Sequence, residues 1–159
     1  MHVTPLVSST GDAGGVADVE GVTKMKGIVI ATHGALAAGV MDALKMFSGE
    51  PEQVEVVGLM PEQDMAVFTG KLSTAIDEVD SGEGTVVFCD LLFGTPCNCV
   101  ARVLKDPARS ERVEVVTGVN LPMILEYSTG RTAGMELDDV LEVGRDGIVD
   151  LKRQMGLRE

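Results

Sequence analysis

The chain has 159 residues, 45% of them hydrophobic, and its 13 Lys and Arg against 25 Asp and Glu give a formal charge of −12. That length and apolar content suit one compact domain with a continuous core, and the acidity repels nucleic-acid backbones and anionic membranes, so nucleic-acid binding is set aside and the charge is read as a solvated surface. No apolar run reaches the ~20 residues that span a bilayer, no secretory leader pattern opens the chain, and Cys89, Cys97 and Cys99 are too few and too clustered for a disulfide framework; free thiols in the cytoplasm are the expectation.

Residues 1–25 are rich in Gly, Ser and Thr without sustained apolar periodicity and read as a flexible N-terminal extension, with residues 26–159 as the single folded domain. Gly27-Ile28-Val29-Ile30-Ala31 is a short β-branched run of the kind buried on both faces of a sheet. Thr32-His33-Gly34 follows, then Leu36, Val40, Leu44 and Phe47 at helical spacing, closed by Ser48-Gly49. The pattern repeats as strand Val54 to Met60 and a helix with Phe68, Leu72, Ile76 and Val79 on one stripe, ending at the turn cluster 80–84. A third strand, Thr85 to Cys89, leads through a loop in which Thr95 suits an N-cap and Pro96 the first helical position, with the helix running to about Leu104.

Strand Val113 to Val116 then passes through Thr117-Gly118-Val119-Asn120 into a helix from about Pro122 to Thr129, and the last segment, Leu137 to Met155, reads as a helix broken near Gly144 and Gly147. Met41, Met46, Met60 and Met65 are assigned to core or edge packing. Strands alternating with amphipathic helices predict an α/β fold: an open, mainly parallel sheet of four to five strands with helices on both faces.

In such sheets ligands bind beyond the carboxyl ends of the strands, near the point where strand order reverses. His33 follows the first strand at a helix entrance, where backbone N–H groups and the helix dipole favour an anion. Asp90 follows the third strand, with Gly94 and Thr95 opening the next helix. If those strands are neighbours, Asp90 can accept a hydrogen bond from one ring nitrogen and leave the other as a nucleophile; a strand-end Asx turn is the structural alternative. A phosphoryl group carried there needs donors, which amides near Gly34 and Gly94 and the Thr95 hydroxyl can supply. A metal or redox site built on Cys97-x-Cys99 with His33 and Asp90 is set aside, because residues two apart on a helix diverge. No metal or cofactor is expected. Leu36, Leu92 and Phe93 flank the site, either packed inward or exposed to dock a partner.

Three segments, Gly27-Ile-Val-Ile-Ala-Thr-His-Gly34, Asp90-Leu-Leu-Phe-Gly-Thr-Pro-Cys-Asn98 and Gly118-Val-Asn-Leu-Pro-Met123, resemble in order and spacing the IIA domain of mannose/fructose/sorbose-type sugar phosphotransferase systems over roughly residues 27–151. The resemblance implies that His33 takes a phosphoryl group on Nε2 from the phosphohistidine of HPr and donates it to a IIB domain, which phosphorylates sugar entering through membrane IIC and IID components. Sugar specificity then belongs to those membrane components. It further implies that Asp90 holds the other ring nitrogen, that Thr95 contacts the phosphate, and that the domain works in the cytoplasm, associated with the membrane through the transporter complex. Dimers in which a C-terminal segment adds an edge strand to the partner are also implied. This chain departs from the family in carrying Phe93-Gly94 where many members have two glycines, and in a short C-terminal helix. The phosphotransfer subunit of a dihydroxyacetone kinase and a regulatory module that senses phosphorylation state resemble the same fold and stay open at this level, the Thr95-Pro96-Cys97-Asn98 stretch favouring the sugar system.

Overall fold

The computed structural model describes residues 24–158; residues 1–23 of the expected extension lie outside that range, whereas Met25 is buried and its carbonyl accepts a hydrogen bond from Ser81. Four strands, β1 (Gly27–His33), β2 (Val54–Leu59), β3 (Thr85–Cys89) and β4 (Val113–Thr117), form an all-parallel sheet in the order β2-β1-β3-β4. The helices are α1 (Leu36–Ser48), α2 (Met65–Val79), α3 (Thr95–Val103), α4 (Pro107–Ser110), α5 (Leu121–Gly130), α6 (Leu137–Asp146) and α7 (Leu151–Gln154).

Side chains alternate across the pleat, so β1 feeds two cores. Val29 and Ala31 join Val87, Phe68, Leu72, Ile76 and Val100 under α2 and α3. Ile28 and Ile30 join Val86, Phe88, Leu44, Met123, Ile124 and Val140 under α1, α5 and α6. Helices thus cover both faces, as the alternation of elements predicts. Because β1 pairs with β2 on one side and β3 on the other, the chain reverses its direction of winding between β1 and β3, and a crevice opens at their carboxyl ends.

Local chemistry sets the helix starts. Asp64 accepts from the amides of Ala66 and Val67 to cap α2, and Asn120 accepts from Met123 to cap α5 while donating to the Gly144 carbonyl of α6. Gly144 packs closely there, a Cβ lying 2.4 Å from the terminal methyl of Met123, which would have to move aside. Arg131, buried at the end of α5, donates to the carbonyls of Lys26, Gln53 and Glu52 and so ties the segments entering β1 and β2 to the helix layer. Its sequence context carries no sign of that role.

Several expectations are corrected. Thr95 is not an N-cap: Gly94 holds that position with φ −66° and ψ 165°, and Thr95 is the first residue of α3. Phe47 is exposed, as are Met46, Met60 and Met65, because α1 buries only Ala37 and Leu44 fully and the methionines fall at helix ends and loop edges. The C-terminal break is placed correctly, after Asp146, but Ile148, Leu151 and Met155 beyond it are exposed.

Candidate functional site

His33 is the last residue of β1, in register with Leu59 of β2, and Asp90 follows the last residue of β3, whose Cys89 lies opposite Ala31. The sheet itself therefore brings the two side chains together at the switch point. His33 Nδ1 lies 3.0 and 3.2 Å from the two oxygens of Asp90, and the His33 amide donates to Asp90 Oδ2 at 2.8 Å. The Leu91 amide donates to Oδ1 at 2.8 Å, so the Asx-type turn and the histidine bond coexist on one carboxylate.

Partial burial pushes the Asp90 carboxyl up, but the His33 amide, the His33 ring and the Leu91 amide outweigh it and hold the group below its ordinary value. An ionised carboxylate only accepts hydrogen bonds, so the neutral imidazole must carry its proton on Nδ1. That leaves the lone pair on Nε2, in a side chain that is 43% exposed.

Glycine shapes the surroundings. A Cβ on Gly94 would sit 2.8 Å from His33 Cε1, so the ring packs directly on the backbone that opens α3. α3 starts with no side-chain cap, leaving its N-terminal end able to face an anion. Gly34, with φ +56°, turns the chain sharply after His33, and its carbonyl is approached so closely by Gly58 that a Cβ there would lie 2.3 Å away. The buried Thr32 hydroxyl accepts from the Ala37 amide at 2.8 Å and fixes the first turn of α1.

Thr95, Gly34 and His33 line one cleft of about 430 Å³ together with Leu59, Met60 and Met65. The loop from β2 to α2 is the part of this neighbourhood that the sequence does not announce, since only strand order places it beside His33. Leu36, Leu92 and Phe93 are all exposed, Phe93 at 77%, so they do not pack inward. Cys89 and Cys99 are buried, Cys97 is partly so, and all three are free thiols; burial, the largest influence, pushes the Cys89 thiol up to about 12. Among the described residues no group of His, Cys, Asp and Glu is arranged to hold a metal ion, and no helix is long and apolar enough to cross a membrane.

The result is an α/β domain with an imidazole oriented by a carboxylate, set at the switch point of a parallel sheet beside a helix start without a side-chain cap. Residues 27–143 match the family model described as PTS system fructose IIA component, and the chain belongs to that family, whose members are phosphotransfer proteins. The mannose-specific EIIAB component of Escherichia coli K12 is 30% identical over 129 residues, which are 79% of this chain and 39% of that protein; the chain thus spans well under half of that relative. A PTS IIA protein associated with the fucose utilization operon of Streptococcus pneumoniae superposes with a TM-score of 0.76 at 28% identity, covering 82% of this chain and 96% of that one. The EIIA component from Streptococcus agalactiae gives 0.72 at 26% identity over 81% and 99% of the two chains.

Proposed function

We propose that this chain is a cytoplasmic phosphohistidine carrier: Nε2 of His33 accepts a phosphoryl group from phospho-HPr and gives it to a IIB domain, which phosphorylates sugar entering through membrane IIC and IID components. The observation that carries the reading is the pairing of His33 Nδ1 with the Asp90 carboxylate at 3.0 Å, which frees Nε2 alone for attack. In the forward step the Nε2 lone pair forms the bond to phosphorus as the donor's N–P bond breaks in line. Asp90 keeps the Nδ1 proton and balances the positive charge that develops on the ring. The Gly34 and Gly94 amides already donate to the Leu59 and Leu91 carbonyls, so the phosphoryl oxygens fall to the backbone amides that follow each glycine and to the Thr95 hydroxyl. The family match favours this reading over a dihydroxyacetone kinase subunit and over a regulatory module. Incubation with phosphoenolpyruvate, enzyme I and HPr is expected to give an acid-labile, alkali-stable phosphate that maps to His33; phosphate on another residue alone overturns it.

Leu36, Leu92 and Phe93 are proposed to dock both partners in turn, because exposed apolar groups ring the histidine. Phe93→Ala is expected to weaken transfer from HPr by about 1–3 kcal/mol, the range for a central interface aromatic. Its thermal midpoint should hold, since an exposed ring contributes little to the core. A large fall in midpoint with normal transfer kinetics would return Phe93 to a structural role.

Association into a homodimer is proposed on two features: β4 is a terminal strand of the sheet, and the C-terminal segment, whose Ile148 lines a cleft with Val115, Val116 and Thr117 of β4, exposes Ile148, Val149, Leu151, Met155 and Leu157. Sedimentation velocity is expected to show a dimer that the double substitution Leu151→Asp, Leu157→Asp converts to monomer; a monomeric unsubstituted protein at tens of micromolar removes the proposal.

A further inference from the structure

The loop between Asp90 and α3 carries a conformational problem. Phe93 has φ +62°, a left-handed conformation that a side chain with a Cβ disfavours. Packing of its ring does not offset that strain, since the ring is 77% exposed. Yet the residue after it, Gly94, must land against His33 Cε1 with no room for a methyl group. The loop is held at its start by the Leu91 amide on Asp90 and internally by the Gly94 amide on the Leu91 carbonyl at 3.0 Å. At its far end one side chain reaches back: Asn98 Nδ2 donates to the Phe93 carbonyl at 2.9 Å, while the Asn98 amide donates to the Gly94 carbonyl at 2.9 Å as part of the first turn of α3.

We propose that Asn98 is a positioning residue for phosphoryl transfer, whose side-chain amide clamps the Phe93 carbonyl and thereby holds Gly94 and the start of α3 against the His33 ring. The inference rests on the reading of His33 as the phosphoryl acceptor. The carbonyl of a left-handed residue points away from where an extended one would, so a donor fixed in that direction selects the left-handed form over its competitors. Asn98 is well placed to be that donor because it sits one turn into a helix, where its own backbone is fixed. Without it, residues 91–94 gain access to ordinary conformations of Phe93. Gly94 then leaves the ring, and the start of α3 moves off His33. The same clamp fixes the direction in which Phe93 leaves the loop, so the acceptor geometry and the docking ring share one hydrogen bond.

The test uses a donor that needs no docking surface. Full-length protein is labelled on His33 with phosphoramidate and the rate is followed by mass spectrometry, with thermal midpoints measured in parallel. Asn98→Ala, which suits a helix interior, is expected to slow labelling about five- to tenfold, the scale of one lost hydrogen bond. Asn98→Asp, which cannot donate to a carbonyl, is expected to slow it at least as much. Glycine adopts the left-handed form without penalty, so Phe93→Gly added to Asn98→Ala is expected to return the rate to within about twofold of the unsubstituted protein. A merely structural asparagine would lower the midpoint and gain nothing specific from that glycine. Asn98→Ala labelled at the unsubstituted rate, or a double variant as slow as Asn98→Ala, overturns the clamp. Unsubstituted protein that takes no phosphate on His33 from phospho-HPr overturns the underlying site reading instead.

Discussion

His33→Ala is expected to take up no phosphate from phospho-HPr, with loss of labelling below detection and a folded protein of nearly unchanged thermal midpoint. The loss is total because the step needs a nitrogen lone pair on the ring itself, and neither Asp90 nor Thr95 can supply one in its place. The fold persists because the interactions that anchor this stretch are made by the backbone. β1 keeps its register with β2 at residue 33, the residue 33 amide still reaches Asp90 Oδ2, and Leu91 still donates to Oδ1. Only the ring's bond to Asp90 disappears, and for a side chain 43% exposed an interaction of that kind is worth under about 1 kcal/mol. Intact-mass and acid-lability measurements on the purified variant check the result. An acid-labile phosphate persisting on it, at His2 or elsewhere, assigns the carrier role to another residue.

The separation of these two effects shows why parts of the site are legible in the sequence and others are not. β-Branched runs such as Gly27–Ala31 and Thr85–Cys89 and the apolar stripe of α2 repeat at the periods that burial demands, so the strands, the main helices and the meeting of His33 with Asp90 follow from periodicity and from the switch-point rule. Groups that act through tertiary placement leave no such trace. Met60 and Met65 enter the His33 cleft because β2 neighbours β1, and the exposed Phe47 continues the α1 stripe beyond the point where the sheet can cover it. Arg131 works through three carbonyls more than 70 residues away in the chain, a partnership no local pattern encodes. Thr95 misleads in the other direction: its hydroxyl makes it a good N-cap by type, but the tight approach of Gly94 to the imidazole makes glycine the residue that must stand at the cap.

Asp90→Asn is expected to lower the rate of transfer from HPr and to IIB by about a hundredfold while the domain still folds. The ceiling for removing such a carboxylate from a buried triad is on the order of 10⁴, and the more open setting here, where water can also orient the ring, brings the loss down. The carboxylate serves three donors at once: the His33 amide and ring nitrogen, and the Leu91 amide. An asparagine has one accepting oxygen and one NH₂ group. With its oxygen in the place of Oδ1, serving Leu91, the NH₂ faces the His33 amide and Nδ1 and selects the opposite tautomer, with the proton on Nε2 and no lone pair to attack. With its oxygen in the place of Oδ2, the ring bond is kept but the Leu91 amide faces NH₂, at a cost of about 1–2 kcal/mol. The pH dependence follows from the lowered carboxyl. A group depressed in the folded state contributes its stability above the ordinary carboxylate range near pH ~4 and loses it as pH falls through the lowered value. The stability gap between the unsubstituted protein and the Asp90→Asn variant is therefore expected to be full at neutral pH and to close in acid, as read by urea midpoints from pH 7 downward. Unchanged transfer rates with both partners would leave Asp90 as a turn-forming residue only, and a stability gap that widened toward low pH would contradict the assigned charge state.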